Sequence, residues 1–370
     1  MIDDMFVIDA VTHAFNFDPK NWHHLEHARA ITDMSVAVVG DAPAPKYALT
    51  RDAIAREWPA MDTANMLFRE SLTDVAIFHP LPITAFKDGM CGIDKALEAR
   101  ERWPQRFVGA YACMDPLRGE DAFPTLEEQV DSLQPMGLKL YPSSWTTDSV
   151  SVWKMDDPKV AFPVFEKAAE LGIRHIAIHK SIPLGPAYAG DAFHPGDVEG
   201  AAAHFPELNF EIVHGGIAFT EETAWMLARY DNISVNMENL NIVLARRPRT
   251  FAQILLGLMR VGGPMVLDKL FWGTGTMQYH PRPCLEAFSE FEFPQDLLDD
   301  AGLFAPIPQI TRDQKAGLLG LNYARLHGLD IAALKAGFAG DEFEVMQEGG
   351  QAAPYSTTTV ADRAGLTVSA

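Results

Sequence analysis

Apolar residues along the chain gather into eight short runs, around Phe6–Val11, Asp74–His79, Phe107–Cys113, Gly137–Tyr141, His175–His179, Asn209–His214, Ile233–Met237 and Leu270–Thr274. Their length and their content of Val, Ile, Phe and Tyr predict strands. Most gaps between them carry apolar residues at helical spacing. In Pro163-Val164-Phe165-Glu166-Lys167-Ala168-Ala169-Glu170-Leu171-Gly172 a proline opens the segment and a glycine stops it. Eight strands alternating with helices are what a (β/α)8 TIM barrel requires. A doubly wound open sheet alternates in the same way, but its first strand leads into a glycine-rich phosphate loop. Here the first run continues into Thr12-His13-Ala14-Phe15, so the barrel is the expected fold.

Three stretches fall outside the repeating unit. Insertions near 16–60 and 285–310 exceed the usual βα connection and are expected to serve as lids or oligomer contacts, which makes a homodimer the expected assembly. Residues 1–340 are thus read as one metal-dependent barrel domain, and 341–370 as a flexible tail. A chain of 370 residues with 48% hydrophobic content can bury a core of that size.

Charge removes some functions. The 50 acidic against 30 basic residues leave a net charge of -20, which disfavours nucleic acid and anionic membrane surfaces as partners. No apolar stretch approaches membrane-spanning length, and the acidic start Met1-Ile2-Asp3-Asp4 lacks the basic region of a signal peptide. Cys91, Cys113 and Cys284 are widely spaced, so neither a disulfide framework nor a thiolate zinc site is expected, and the cytoplasm is the expected compartment.

A barrel of this kind keeps its chemistry at the carboxyl ends of its strands. His179 and His214 each end an apolar run and are read as metal ligands, against the alternative of loop histidines held by hydrogen bonds. His13 follows the first run and joins them. Glu238 shares a strand face with Asn236 and is read as a ligand or a catalytic base. Lys139, inward near the mouth, needs a partner: a carbamylated lysine bridging two metals and a lysine neutralised by Glu238 are both open. His79 is placed behind the ligands. Tyr141, on the face of Lys139, is a substrate-contact candidate. Lys180, Arg246, Arg247, His280 and Arg282 form a positive field suited to a phosphate or coenzyme A group. Phe15, Trp22, Trp145, Phe219, Met237 and Trp272 are candidates for an apolar wall. Two literal matches are discounted: His23-His24-Leu25-Glu26-His27 (HxxEH) lies in an insertion, and Glu211-Ile212-Val213-His214 (ExxH) falls on a strand, where the two side chains face opposite ways.

On Ile8-Asp9 through His13, on His179 and His214, and on the closing segment from Ala316 through Leu319-Gly320-Leu321-Asn322-Tyr323-Ala324-Arg325-Leu326, the chain resembles the amidohydrolase superfamily, specifically its decarboxylase-like branch. The resemblance implies a barrel with one or two divalent metals and an eighth-strand aspartate that handles the proton of a metal-bound water. Two positions depart from it. The first-strand HxH pair falls on Val11 and His13, and no carboxylate stands within Trp272-Gly273-Thr274-Gly275. The chain also resembles the amidohydrolase-fold non-heme di-iron monooxygenases of diterpenoid antibiotic biosynthesis. That likeness implies dinuclear iron on His13, His179, His214 and Glu238, with Lys139 or His79. It also implies a bulky hydrophobic acyl-CoA thioester as substrate, and ferredoxin with ferredoxin reductase as electron donors. An iron-dependent monooxygenase is therefore the expected function. The alternative is a metal-dependent decarboxylase or hydrolase using zinc or manganese, with Glu238 as proton carrier, and a noncatalytic barrel is the third reading.

Overall fold

Eight parallel strands pair in chain order in the computed structural model, which describes residues 1–145, 149–185 and 190–358. They are β1 (Ile8–Thr12), β2 (Val75–Phe78), β3 (Phe107–Cys113), β4 (Gly137–Leu140), β5 (His175–His179), β6 (Asn209–Val213), β7 (Ile233–Asn236) and β8 (Leu270–Phe271). Backbone hydrogen bonds join the two edges: Ala10 N donates to Trp272 O and Gly275 N to Val11 O, both at 2.9 Å. The result is a (β/α)8 TIM barrel; seven of the runs contain one strand each, and β1 extends one residue past the first run, to Thr12.

Alternation along the strands divides the core. Leu138, Leu140, Ile176, Ile178, Phe210 and Ile212 face outward into the helical layer. Ile77, Tyr111, Ala177, Val213 and Phe271 face inward and fill the barrel. Such a two-sided core needs strands that are buried on both faces, which is why they read as near-continuous apolar runs. The helix Ala161–Glu170 stops before Gly172, whose φ of 83° suits a residue without Cβ. Among the described residues no single helix is long and apolar enough to cross a membrane.

The first insertion forms the helix Leu25–Gly40, which brings Met34, Ser35 and Val38 over the barrel mouth. The tail departs from the expectation of flexibility. After the helix Ile331–Phe338 closes the barrel domain, the first residues of the tail form the helix Glu342–Gln347, and Tyr355 is buried beside Tyr47 and His280. The apolar spacing that marks such helices is too short there to stand out from a Gly- and Ala-rich segment. The last residues of the tail, 359–370, lie outside the described residues.

Candidate active site

His13, His179, His214 and Glu238, which leave β1, β5, β6 and β7, line one cavity of about 260 Å³ at the carboxyl end of the barrel. All four are buried. His13 is fixed by a 2.8 Å contact between Nδ1 and the His79 carbonyl, which assigns the proton to Nδ1 and leaves an Nε2 lone pair. That lone pair faces Glu238 Oε1 at 3.7 Å. A second chain of contacts fixes the other two rings. His179 Nε2 donates to Ile182 O (2.6 Å), so its Nδ1 accepts from His214 Nε2 (2.9 Å), and His214 Nδ1 accepts from Asn239 Nδ2 (2.8 Å). His214 Nδ1 also lies 3.7 Å from Glu238 Oε2. Glu238 thus sits between two unprotonated imidazole nitrogens.

The sequence around His214 explains how it arrives there. His214, Gly215 and Gly216 adopt φ of 70°, 64° and 62° in succession. A Cβ on Gly215 would meet Leu240 at 2.2 Å, and one on Gly216 would meet Thr223 at 2.1 Å, so both positions demand glycine. For the histidine the left-handed conformation costs about 1–2 kcal/mol. This turn swings the ring into the cavity against the parity of the strand. Glu211 and His214 therefore both face the interior, which corrects the expectation that the two side chains face opposite ways. Glu211 is buried inside the barrel, accepting from Asn236 Nδ2 at 2.5 Å.

Gly275 shapes the other side of Glu238. It has φ of 65°, and a Cβ there would stand 2.7 Å from Glu238 Oε1 and 3.0 Å from its Cγ. The carboxylate from β7 thus occupies the space into which a side chain following β8 would project. Burial raises the pKa of Glu238, but the neighbouring His214, His13 and Lys139 outweigh it and hold the carboxyl well below its usual range. Burial pushes the His214 imidazole down to about 4 and that of His179 well below its ordinary value. At neutral pH the site holds an ionised carboxylate near the neutral imidazoles of His179 and His214.

Other expected residues fall differently. Tyr141 lines the cavity and stacks on His179, with ring centroids 4.6 Å apart. Lys139 lies 5.4 Å from the Tyr141 ring and outside the cavity lining, within the fields of Glu238 and Glu211. Burial lowers its ammonium to about 8, opposed by the fields of Glu238 and Glu211. His79 stacks on Tyr111 at 4.0 Å, behind His13.

The expected positive field is a correction. Lys180 is fully buried and paired with Asp197 at 2.6 Å, because it follows His179 and so faces the opposite way. His280 is held by Glu70 at 2.9 Å, and Arg247 is solvent-exposed outside the cavity lining. Arg246 is the one Lys or Arg among the described lining residues. It donates to Val38 O at 2.8 Å, lies 3.5 Å from Asp41, and keeps a buried Nε without a partner. Of the expected apolar wall, Phe15 lines the cavity, joined by Met34, Val38, Leu81, Met90 and Leu184, whereas Met237 and Trp272 pack in the outer core. In the HxxEH segment, His23 and Glu26 are exposed at the start of the helix Leu25–Gly40.

The donor chemistry, three imidazoles and a carboxylate, suits a divalent transition metal. The facing acceptors His13 Nε2 and Glu238 Oε1, with no proton assigned between them, present a place for a cation. Among the described residues, however, no three His, Cys, Asp or Glu side chains are arranged to hold an ion, since His179 and His214 are hydrogen-bonded to each other. A metal would be held by His13 and Glu238, and joined by His214 and His179 once their mutual bond opens.

A (β/α)8 barrel with imidazoles and a carboxylate gathered at the carboxyl ends of its strands defines the class of protein. The chain belongs to the amidohydrolase family, whose model matches residues 8–329. Its fold is similar to that of a TIM-barrel protein from Bordetella bronchiseptica (14% identity, 88% of this chain and 99% of that one, TM-score 0.57). It is also similar to 2,6-dihydroxybenzoate decarboxylase from Rhizobium (15%, 88% and 99%, TM-score 0.53). A third likeness is to 5-carboxyvanillate decarboxylase from Novosphingobium aromaticivorans, a structure with bound manganese (13%, 88% and 98%, TM-score 0.55). No curated protein matches the chain.

Proposed function

We propose that the chain is a metal-dependent decarboxylase or hydrolase acting on an apolar carboxylic acid. The carrying observation is Glu238, ionised and seated over Gly275 between ring nitrogens of His13 and His214, at the wall of a largely apolar cavity. Fold neighbours that are decarboxylases, one with manganese, support the reading. A bound divalent metal would supply Lewis acidity at the reacting oxygen. The chain's own residues do the rest. Arg246 takes the substrate anion through its unpartnered Nε, the apolar wall excludes water from the reacting end, and Glu238 accepts a proton and returns it. The oxygenase reading gains no contact of its own, because Lys180 and His280, two residues expected to take a coenzyme A phosphate, are committed to Asp197 and Glu70.

The test is anaerobic turnover of alicyclic and aromatic carboxylic acids by protein supplied with manganese or zinc. Activity is expected without oxygen, and Glu238→Gln is expected to lower it by roughly two to four orders of magnitude while the protein stays folded. Oxygen consumption that depends on reduced ferredoxin, with no anaerobic turnover, would return the iron monooxygenase.

A further inference from the structure

The ends of β6 and β7 are tied together beneath the site by one side chain. Asn236 Oδ1 accepts from the backbone N–H of His214 at 3.3 Å and from that of Glu238 at 3.2 Å. Its Nδ2 donates to Glu211 Oε1 at 2.5 Å, and the other Glu211 oxygen meets the Tyr111 hydroxyl at 3.5 Å, which in turn receives the Tyr323 hydroxyl at 3.3 Å. Every member of this column is buried, with Asn236 at 0% and Glu211 at 1% exposure. A carboxamide is the side chain that suits the place. It offers one acceptor for two N–H groups on one side and a donor for a carboxylate on the other. Glu211 accepts from the Asn236 amide nitrogen, which leaves the Asn236 oxygen to the two backbone N–H groups above.

We infer that Asn236, oriented by Glu211, is the positioning residue that sets the distance between His214 and Glu238. The inference rests on the reading of those two residues as the working pair. His214 holds a left-handed φ of 70°, which is retained only where the surroundings determine it. The Asn236 acceptor on the His214 N–H is one such determinant, and it fixes Glu238 from the same atom. Partners of this kind behind a metal ligand typically account for a 10–100-fold effect on metal affinity or activity.

The test exchanges donor and acceptor. N236D places two carboxylates against each other and is expected to break the column. In the double variant N236D/E211Q the glutamine donates to the aspartate, whose oxygen again serves both N–H groups. Two measurements report the geometry, neither of them turnover. In metal-free, 15N-histidine-labelled protein the hydrogen bond between His214 and His179 is expected to give a protected downfield imidazole N–H resonance. That resonance should disappear in Asn236→Ala and N236D and return in the double variant. Cobalt(II) titration should show binding weakened about 10- to 100-fold in the single variants and restored in the double. Should N236D fail to fold, comparison of Asn236→Ala with the double variant carries the test. An unchanged resonance in Asn236→Ala, or a double variant no better than the single ones, overturns the positioning role. Loss of catalysis with all of these signals intact would instead bear on the proposed reaction.

Discussion

At the scale of single residues the site depends on where Cβ atoms are missing. Gly275 gives Glu238 its place, and alanine there would put a methyl 2.7 Å from the carboxylate oxygen in a backbone conformation that L residues resist. Gly275→Ala is therefore expected to cost about 1–2 kcal/mol of stability and to lower activity well beyond that loss by displacing Glu238. Thermal unfolding and steady-state rates measured side by side check this, and full activity in a merely destabilised variant would remove Glu238 from the mechanism. Legibility at this scale was uneven. His13, His179, His214 and Glu238 could be read from sequence because each stands where an apolar run gives way to a loop. Lys180 could have been set aside by the same parity that selected His179. Glu211 could not be placed, because the turn at His214 breaks the two-residue alternation from which its direction was inferred.

At the scale of elements, residues 341–358 of the tail form a latch. Glu70 accepts from the backbone N–H of Tyr355 at 2.7 Å, from that of Ser356 at 2.8 Å and from the Ser356 hydroxyl at 2.5 Å, while His280 Nε2 donates to it at 2.9 Å. Removing the buried Tyr355 ring by Tyr355→Ala is expected to destabilise the protein by about 3–5 kcal/mol, readable by denaturant unfolding; a change within error would mean the segment is not packed there. The same cluster sets a pH dependence. Burial raises the Glu70 pKa, but the bonds and charge of His280 and the bonds of Ser356 outweigh it and leave it below the usual value; burial lowers His280. A carboxyl lowered on folding stabilises above its unfolded pKa and loses that contribution as pH falls. A histidine lowered on folding acts in the same sense from its own unfolded pKa near 6.5 downward. Stability should thus begin to drop below pH of about 6.5 and continue through the carboxylate range. Glu70→Gln should flatten the acid limb of a Tm against pH curve, and an unaltered limb would assign it to other groups. Glu70 and His280 are 210 positions apart, a separation that no local pattern reveals.

At the scale of the whole molecule, a net charge of -20 on a closed barrel produces self-repulsion that counterions relieve. Raising NaCl from about 10 mM to about 0.5 M shortens the screening length from about 30 Å to under 10 Å. Tm at pH 7 should rise over that range, and a fall would show that local ion pairs outweigh the repulsion. The same scale separates what each level of description decides. The order of strands and helices, their inward and outward faces and the barrel itself follow from apolar spacing, because periods of 2 and 3.6 residues are local properties of the chain. The candidate site residues were equally local, since strand ends are marked in sequence. Which of them meet was decided by ring closure and by one left-handed turn. Hydrogen bonds between β1 and β8 bring His13 beside Glu238 and Gly275, and the left-handed turn after β6 carries His214 onto His179. Contacts across more than two hundred positions depend on how eight strands share one circumference, and that geometry exists only once the chain has closed.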